Sequence, residues 1–199
     1  MHGIVPVNEA SISEERLEVR GHALILGVVL FLASELMFFA AWFATYFELR
    51  GNSRVWPPPG VRLDLVESSI GTLLLGASSL FVLFALRRIR KRRPLLARAW
   101  LAGAIACACA FLALTFHGWT KNGFGIGSHA YGSTYYGLTG FHALHVTAGV
   151  IALTYVLVGA NKPAFAAADA AGADAIGYYW HFVFAVWFLG IWPLVYFVR

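Results

Sequence analysis

Four side chains in this sequence combine titratable chemistry with apolar surroundings: Glu35, His142, His145 and His181. Glu35 stands midway along the uncharged run Ala23–Phe47 (ALILGVVLFLASELMFFAAWFATYF), thirteen residues from His22 on one side and thirteen from Glu48 on the other. A carboxyl at the centre of a bilayer costs on the order of several kcal/mol unless it is protonated or paired, so it is expected to face protein and to mark a working site. A histidine is the natural partner, because one proton shared between the two groups leaves both tolerable in hydrocarbon. His142 and His145 are i,i+3 neighbours, and Leu138, His142, His145, Gly149 and Ala152 follow a 4-3-4-3 spacing that places them along one helix face.

The elements that must position these groups are membrane helices. The chain has 199 residues, of which 59% are hydrophobic and only 13% charged, with a mean hydropathy of +0.68. That balance belongs to a polytopic helical membrane protein, and the continuous apolar runs argue against a β-barrel. Five spans are predicted, at about 23–47, 66–86, 95–116, 137–159 and 177–198. They form a single transmembrane domain over residues 22–199, preceded by a polar segment over 1–21 (MHGIVPVNEASISEERLEVRG). That segment is too charged for the core of a cleavable signal, so the first run is expected to be a true span. Asp64 and Glu67 read as a capping pair at the start of the second span. Tyr178, Tyr179 and Trp180 read as an interfacial belt at the start of the fifth.

Arg87, Arg88, Arg90, Lys91, Arg92 and Arg93 occupy six of seven consecutive positions between spans two and three. The positive-inside rule places that turn in the cytoplasm, which puts the N-terminus inside and the C-terminus outside. Arg87, Arg88, Arg90 and Lys91 are candidate contacts for anionic lipid headgroups; a purely topological role is the simpler account of the cluster, and the two are compatible. The net charge of +5 gives no support for nucleic acid.

Depth selects among the histidines. At ~1.5 Å per residue, His145 lies ~5 Å from the midplane, His142 ~9 Å and His181 ~10 Å on the other side, so His145 matches Glu35 best. A metal reading of His142-x-x-His145 with Glu35 and His181 fails for want of a second buried acid. Cys107 and Cys109 point ~200° apart on a helix and read as small packing residues. Phe38 and Trp42 lie beside Glu35 on its own helix face, among 31 aromatic residues in the chain. Packing explains such residues, and a conduit for a small apolar molecule is the functional alternative. Taken alone, Glu35 also fits an independent proton-coupled carrier.

The segments SELMFFAAWFATYF (34–47), WPPPG (56–60), YGSTYYGLTGFHALHV (131–146) and YYWHFVFAVW (178–187) together resemble subunit III of haem-copper oxidases, most closely the short five-helix bacterial type seen in actinobacteria. The likeness covers nearly the whole chain from His22 to Arg199. It implies a non-redox subunit III of a proton-pumping terminal oxidase that reduces oxygen to water with electrons from cytochrome c, in a bacterial plasma membrane. No cofactor is then bound by this chain. Haem and copper belong to partner subunits, subunit I being the direct partner. Subunit II and cytochrome c belong to the same complex, and a respiratory supercomplex is a further possible setting. Phospholipid binding, protection of the active site during turnover and an oxygen entry route are the roles implied. The family's buried reactive glutamate falls on Glu35, its paired histidines on His142 and His145, and its last-helix histidine on His181. The sequence departs from the family at Phe184, where an acid is usual, and at TFHGWT (115–120), where a Gln-x-x-Glu-Tyr-like segment is usual. A quinol oxidase subunit III and a subunit III-like accessory protein of a nitric oxide reductase remain the alternatives.

Overall fold

Each apolar run becomes a long helix because an unbroken run buried in hydrocarbon must satisfy its backbone polar groups within itself. The computed structural model describes residues 9–160 and 170–197, and segments 1–8, 161–169 and 198–199 lie outside that description. Most of the segment between the fourth and fifth predicted spans, residues 160–176, falls in the second of these gaps. The helices are α1 (Glu9–Gly51), α2 (Leu65–Arg90), α3 (Pro94–Lys121) and α4 (Ala130–Gly159). A fifth span follows, composed of α5 (Ala170–Ala185), a π-helical segment (Val186–Ile191) and α6 (Trp192–Tyr196) without a break. Five helices are long and apolar enough to cross a membrane, and the described residues contain no strand. The fold class read from the sequence is therefore the one observed.

Helices α2 and α3 form a tight antiparallel pair. Small residues make the seam: Ser78 Oγ donates to Ala104 O at 2.9 Å, Phe81 packs on Gly103, and Ala97, Leu101, Ala104 and Ala108 form a fully buried stripe. Such residues let backbones approach where dispersion has to drive association. The fifth span touches α1, α2 and α4, and α4 also packs against α3 and α1. Helix α1 lies at the edge and buries only one stripe, on which Glu35, Phe39, Trp42 and Tyr46 recur at 4-3-4 spacing.

The bundle has two unlike ends. At the basic end, Arg92 adopts a left-handed conformation (φ 52°), while Arg92 N–H donates to Ile89 O and Arg93 N–H to Arg88 O. This is the Schellman pattern that closes a helix, with Pro94 starting α3 at once. Arg87, Arg88 and Arg90 sit in the last turn of α2, where the helix dipole favours cations. At the loop end, Asp64 caps α2 by accepting from Glu67 N–H at 3.0 Å. Glu67 does not complete a capping box, because its Oε2 reaches Lys121 Nζ at 3.2 Å instead. His129 caps α4, its Nδ1 accepting from Gly132 N–H at 2.8 Å.

The fifth span begins several residues before the position read from the sequence. The reason is electrostatic: Asp174 inside α5 is paired with Arg90 Nη2 at 2.8 Å, so a charge that marks a loop in the sequence is neutralised within the helix. The aromatic belt is corrected by the same shift. Trp180 is 1% exposed and seated on Gly149, where a Cβ would lie 2.5 Å from its ring. Only Tyr178 of the three faces outward.

Candidate functional site

The site lies where α1 crosses α4. Glu35 Oε2 is 3.0 Å from His145 Nε2, with the two side chains 21% and 13% exposed. His145 Nδ1 is 2.7 Å from Phe141 O, one turn earlier on its own helix. A carbonyl only accepts, so Nδ1 carries a proton. The contact between Nε2 and Oε2 must then hold one further proton. It is either a neutral imidazole accepting from a carboxylic acid or an imidazolium donating to a carboxylate. Both forms are net neutral, which is what a pair at membrane depth requires.

Aromatic rings hold this pair in place. Phe39 packs 5.2 Å from the His145 ring, and Tyr179 stacks on it at 6.5 Å while donating to His145 O at 2.9 Å. Phe31 stacks in turn on Tyr179 at 6.4 Å. Phe38 and Trp42 flank Phe141, at 4.9 and 5.6 Å, and Trp42 sits over Gly137, where there is no room for a side chain. Two apolar grooves lie on either side. One, of about 460 Å³, is lined by Leu24, Val28, Phe31, Ala148, Ala152 and Tyr179. The other, of about 530 Å³, lies at the π-helical segment between Leu36, Phe43, Phe182, Leu189, Gly190 and Pro193.

The other two histidines are held elsewhere. His142 is fully buried and its Nε2 donates to Val183 O at 3.1 Å, pinning α4 to α5. His181 Nδ1 shares a 2.6 Å hydrogen bond with Ser79 Oγ, pinning α5 to α2. Among the described residues, no three His, Cys, Asp or Glu side chains converge on a metal-sized site. At the basic end, Arg87 and Lys91 are exposed, Arg88 is half-buried and Arg90 is engaged by Asp174.

The motifs gain a residue-by-residue explanation. In YGST, Tyr131 donates to Val195 O at 3.2 Å, and Gly132 makes space for Gly125 O. Ser133 donates to Ile126 O and Thr134 to Ala130 O, at 2.7 and 3.0 Å. Phe184, where an acid is usual, packs on Gly76 and opens a stacked ladder with Phe188 and Trp192. Sequence reasoning missed Tyr179 and Tyr46. Their hydroxyls find backbone carbonyls on other helices, and no spacing within one helix signals that.

The family model described as cytochrome c oxidase subunit III matches residues 6–198. The chain belongs to this family. A probable cytochrome c oxidase subunit 3 of Mycobacterium tuberculosis (strain ATCC 25618 / H37Rv) is 36% identical over 184 residues, covering 90% of each chain. Cytochrome c oxidase subunit 3 of Corynebacterium diphtheriae is 34% identical over 186 residues with the same coverage. That of Thermostichus vulcanus is 30% identical over 190 residues, covering 95% of this chain and 94% of the relative. The resemblance read from the sequence is thus the family found. The chain is a multi-pass membrane protein and a subunit III of a terminal oxidase, in a complex with other oxidase subunits.

Proposed function

We propose that this subunit III carries no redox centre and serves the catalytic subunit through lipid and oxygen access. The observation that carries the reading is a net-neutral, one-proton pair set beside apolar grooves, with Tyr179, which stacks on His145, and Phe31, which stacks on Tyr179, both lining a groove. Such a seam accepts acyl chains and dioxygen without offering a net charge to either. Haem and copper are assigned to partner subunits, chiefly the subunit I against which this chain packs, with subunit II and cytochrome c completing the path. The relatives' names support cytochrome c as the electron donor. Arg87, Arg88 and Lys91 are assigned to phospholipid headgroups at a cytoplasmic basic end of a bacterial plasma membrane, each contributing ~1 kcal/mol near an anionic surface.

The test is Glu35→Ala in the assembled oxidase. The initial rate stays within about twofold of wild type, while the enzyme loses activity faster during turnover or requires more oxygen for half-maximal rate. Immediate total loss of turnover in a fully assembled complex overturns the reading. Glu35→Gln keeps a donor facing His145 Nε2 and behaves like wild type if the acid is normally protonated.

A further inference from the structure

A second polar site lies away from the Glu35–His145 seam, enclosed by α2, α3, α4 and the fifth span at the loop end. It is a cavity of about 80 Å³, whose lining includes Glu67, Lys121, Tyr135, Thr139, Phe111 and Trp187. A cavity of that size holds two or three waters at ~30 Å³ each, provided that each finds two or more polar partners. The lining supplies them at its mouth. Glu67 gives one carboxylate oxygen to Lys121, but its other oxygen, Oε1, is buried and has no hydrogen-bond partner among the described residues. A carboxyl oxygen left without a donor at the edge of a membrane span is unfavourable, and water is the donor that this cavity has room for.

At its inner end the cavity stops against two rings. Phe111 and Trp187 meet edge to face with centroids 4.9 Å apart, and the Trp187 indole N–H is already committed to Thr72 Oγ1 at 2.9 Å. Behind those rings stands His142, 5.7 Å from Phe111 and 4.9 Å from Trp187. With Nε2 donating to Val183 O, its Nδ1 is the acceptor of a neutral ring, and that atom too is buried without a partner among the described residues. One orphaned acceptor therefore belongs to the lining of the polar cavity, and a second stands beyond its Phe111–Trp187 wall.

We propose that this cavity is a hydrated vestibule: a small set of ordered waters that serves Glu67 Oε1 at the mouth and reaches the Phe111–Trp187 wall, one ring short of His142. The ligand is water itself, and Glu67 Oε1 is the acceptor that it keeps solvated. Connected waters there also give a proton a path from the loop end into the interior, separate from the Glu35–His145 pair. The inference does not depend on the role proposed for that pair.

Hydroxyl-radical footprinting of the purified oxidase complex in ¹⁸O-labelled water tests it. Radicals formed from bound waters oxidise adjacent rings, so Tyr135 takes up label at least about fivefold faster than Tyr46, which is as deeply buried but has its hydroxyl bonded to Leu194 O and lies outside the cavity lining. Glu67→Leu, which removes the polar mouth, brings Tyr135 down to the Tyr46 rate, whereas Glu67→Gln leaves it labelled. Equal rates for Tyr135 and Tyr46 in the wild-type complex overturn the proposal, and so does label confined to the rim residues Glu67, Lys121 and Asn122. The wild-type comparison needs no variant and stands even where Glu67→Leu fails to assemble.

Discussion

His142 and His145 are one turn apart on the same helix, yet they live in different chemistry. His142 faces the fifth span, donates to a backbone carbonyl and is sealed behind aromatic rings. His145 is rotated ~60° around the helix, faces α1 and meets a carboxyl across a half-buried seam. The first serves architecture, because its fixed proton holds two helices in register. The second keeps a proton that either partner can own. A histidine in a membrane helix thus takes its role from what the neighbouring helix presents, a carbonyl in one case and an acid in the other.

The contrast is broken most severely at the helix contact beneath it. Gly149→Val places a side chain where Trp180 sits, with a Cβ 2.5 Å from the ring. Overpacking of this kind costs ~3 kcal/mol or more, so little intact subunit is expected in the purified complex by quantitative mass spectrometry. His142→Leu comes next. Loss of a buried donor leaves Val183 O less satisfied and destabilises the chain by ~1–3 kcal/mol, read as a lower Tm of the complex with unchanged turnover per assembled enzyme. If His142→Leu instead abolished turnover in a stable complex, the division of labour drawn above would be wrong.

A double-mutant cycle sharpens the His145 side. Glu35→Leu and His145→Leu each strand a polar partner and cost ~1–3 kcal/mol, while the double variant removes both groups and costs less than the sum by ~1 kcal/mol or more. Strict additivity of the Tm shifts would mean that the pair is not a unit. The smallest effect is expected at Ser79→Ala, which removes the hydroxyl bonded to His181. A loss of ~1 kcal/mol in thermal stability, with oxygen affinity untouched, marks His181 as a structural tie like His142.

The fold was legible in the sequence because five apolar runs leave few arrangements, and the Glu35 partner was legible because helix depth is arithmetic. The start of the fifth span was not. Asp174 reads as a loop residue until Arg90 is known to lie beside it, and that meeting depends on how α2 and α5 pack. The π-helical segment was hidden for a related reason. Pro193 signals a missing donor, but the register shift that absorbs it, with Trp192 N–H donating five residues back to Trp187 O, depends on Phe43 filling the space over Gly190. Roles set by cross-helix hydrogen bonds, such as that of Tyr179, leave no periodic trace at all.

The two tyrosine hydroxyls at the end of the fifth span set an order of events. Tyr46 on α1 donates to Leu194 O at 3.2 Å, a contact 148 residues apart in sequence, and Tyr131 on α4 donates to Val195 O. Both acceptors are synthesised after the four preceding helices have emerged. Two anchor points must therefore wait, unsatisfied by their final partners, through most of membrane insertion. The bundle cannot be locked from its first helix onward; it closes only when its last turn arrives, so a ribosome that stalls before residue 194 leaves an unlatched intermediate for quality control to find.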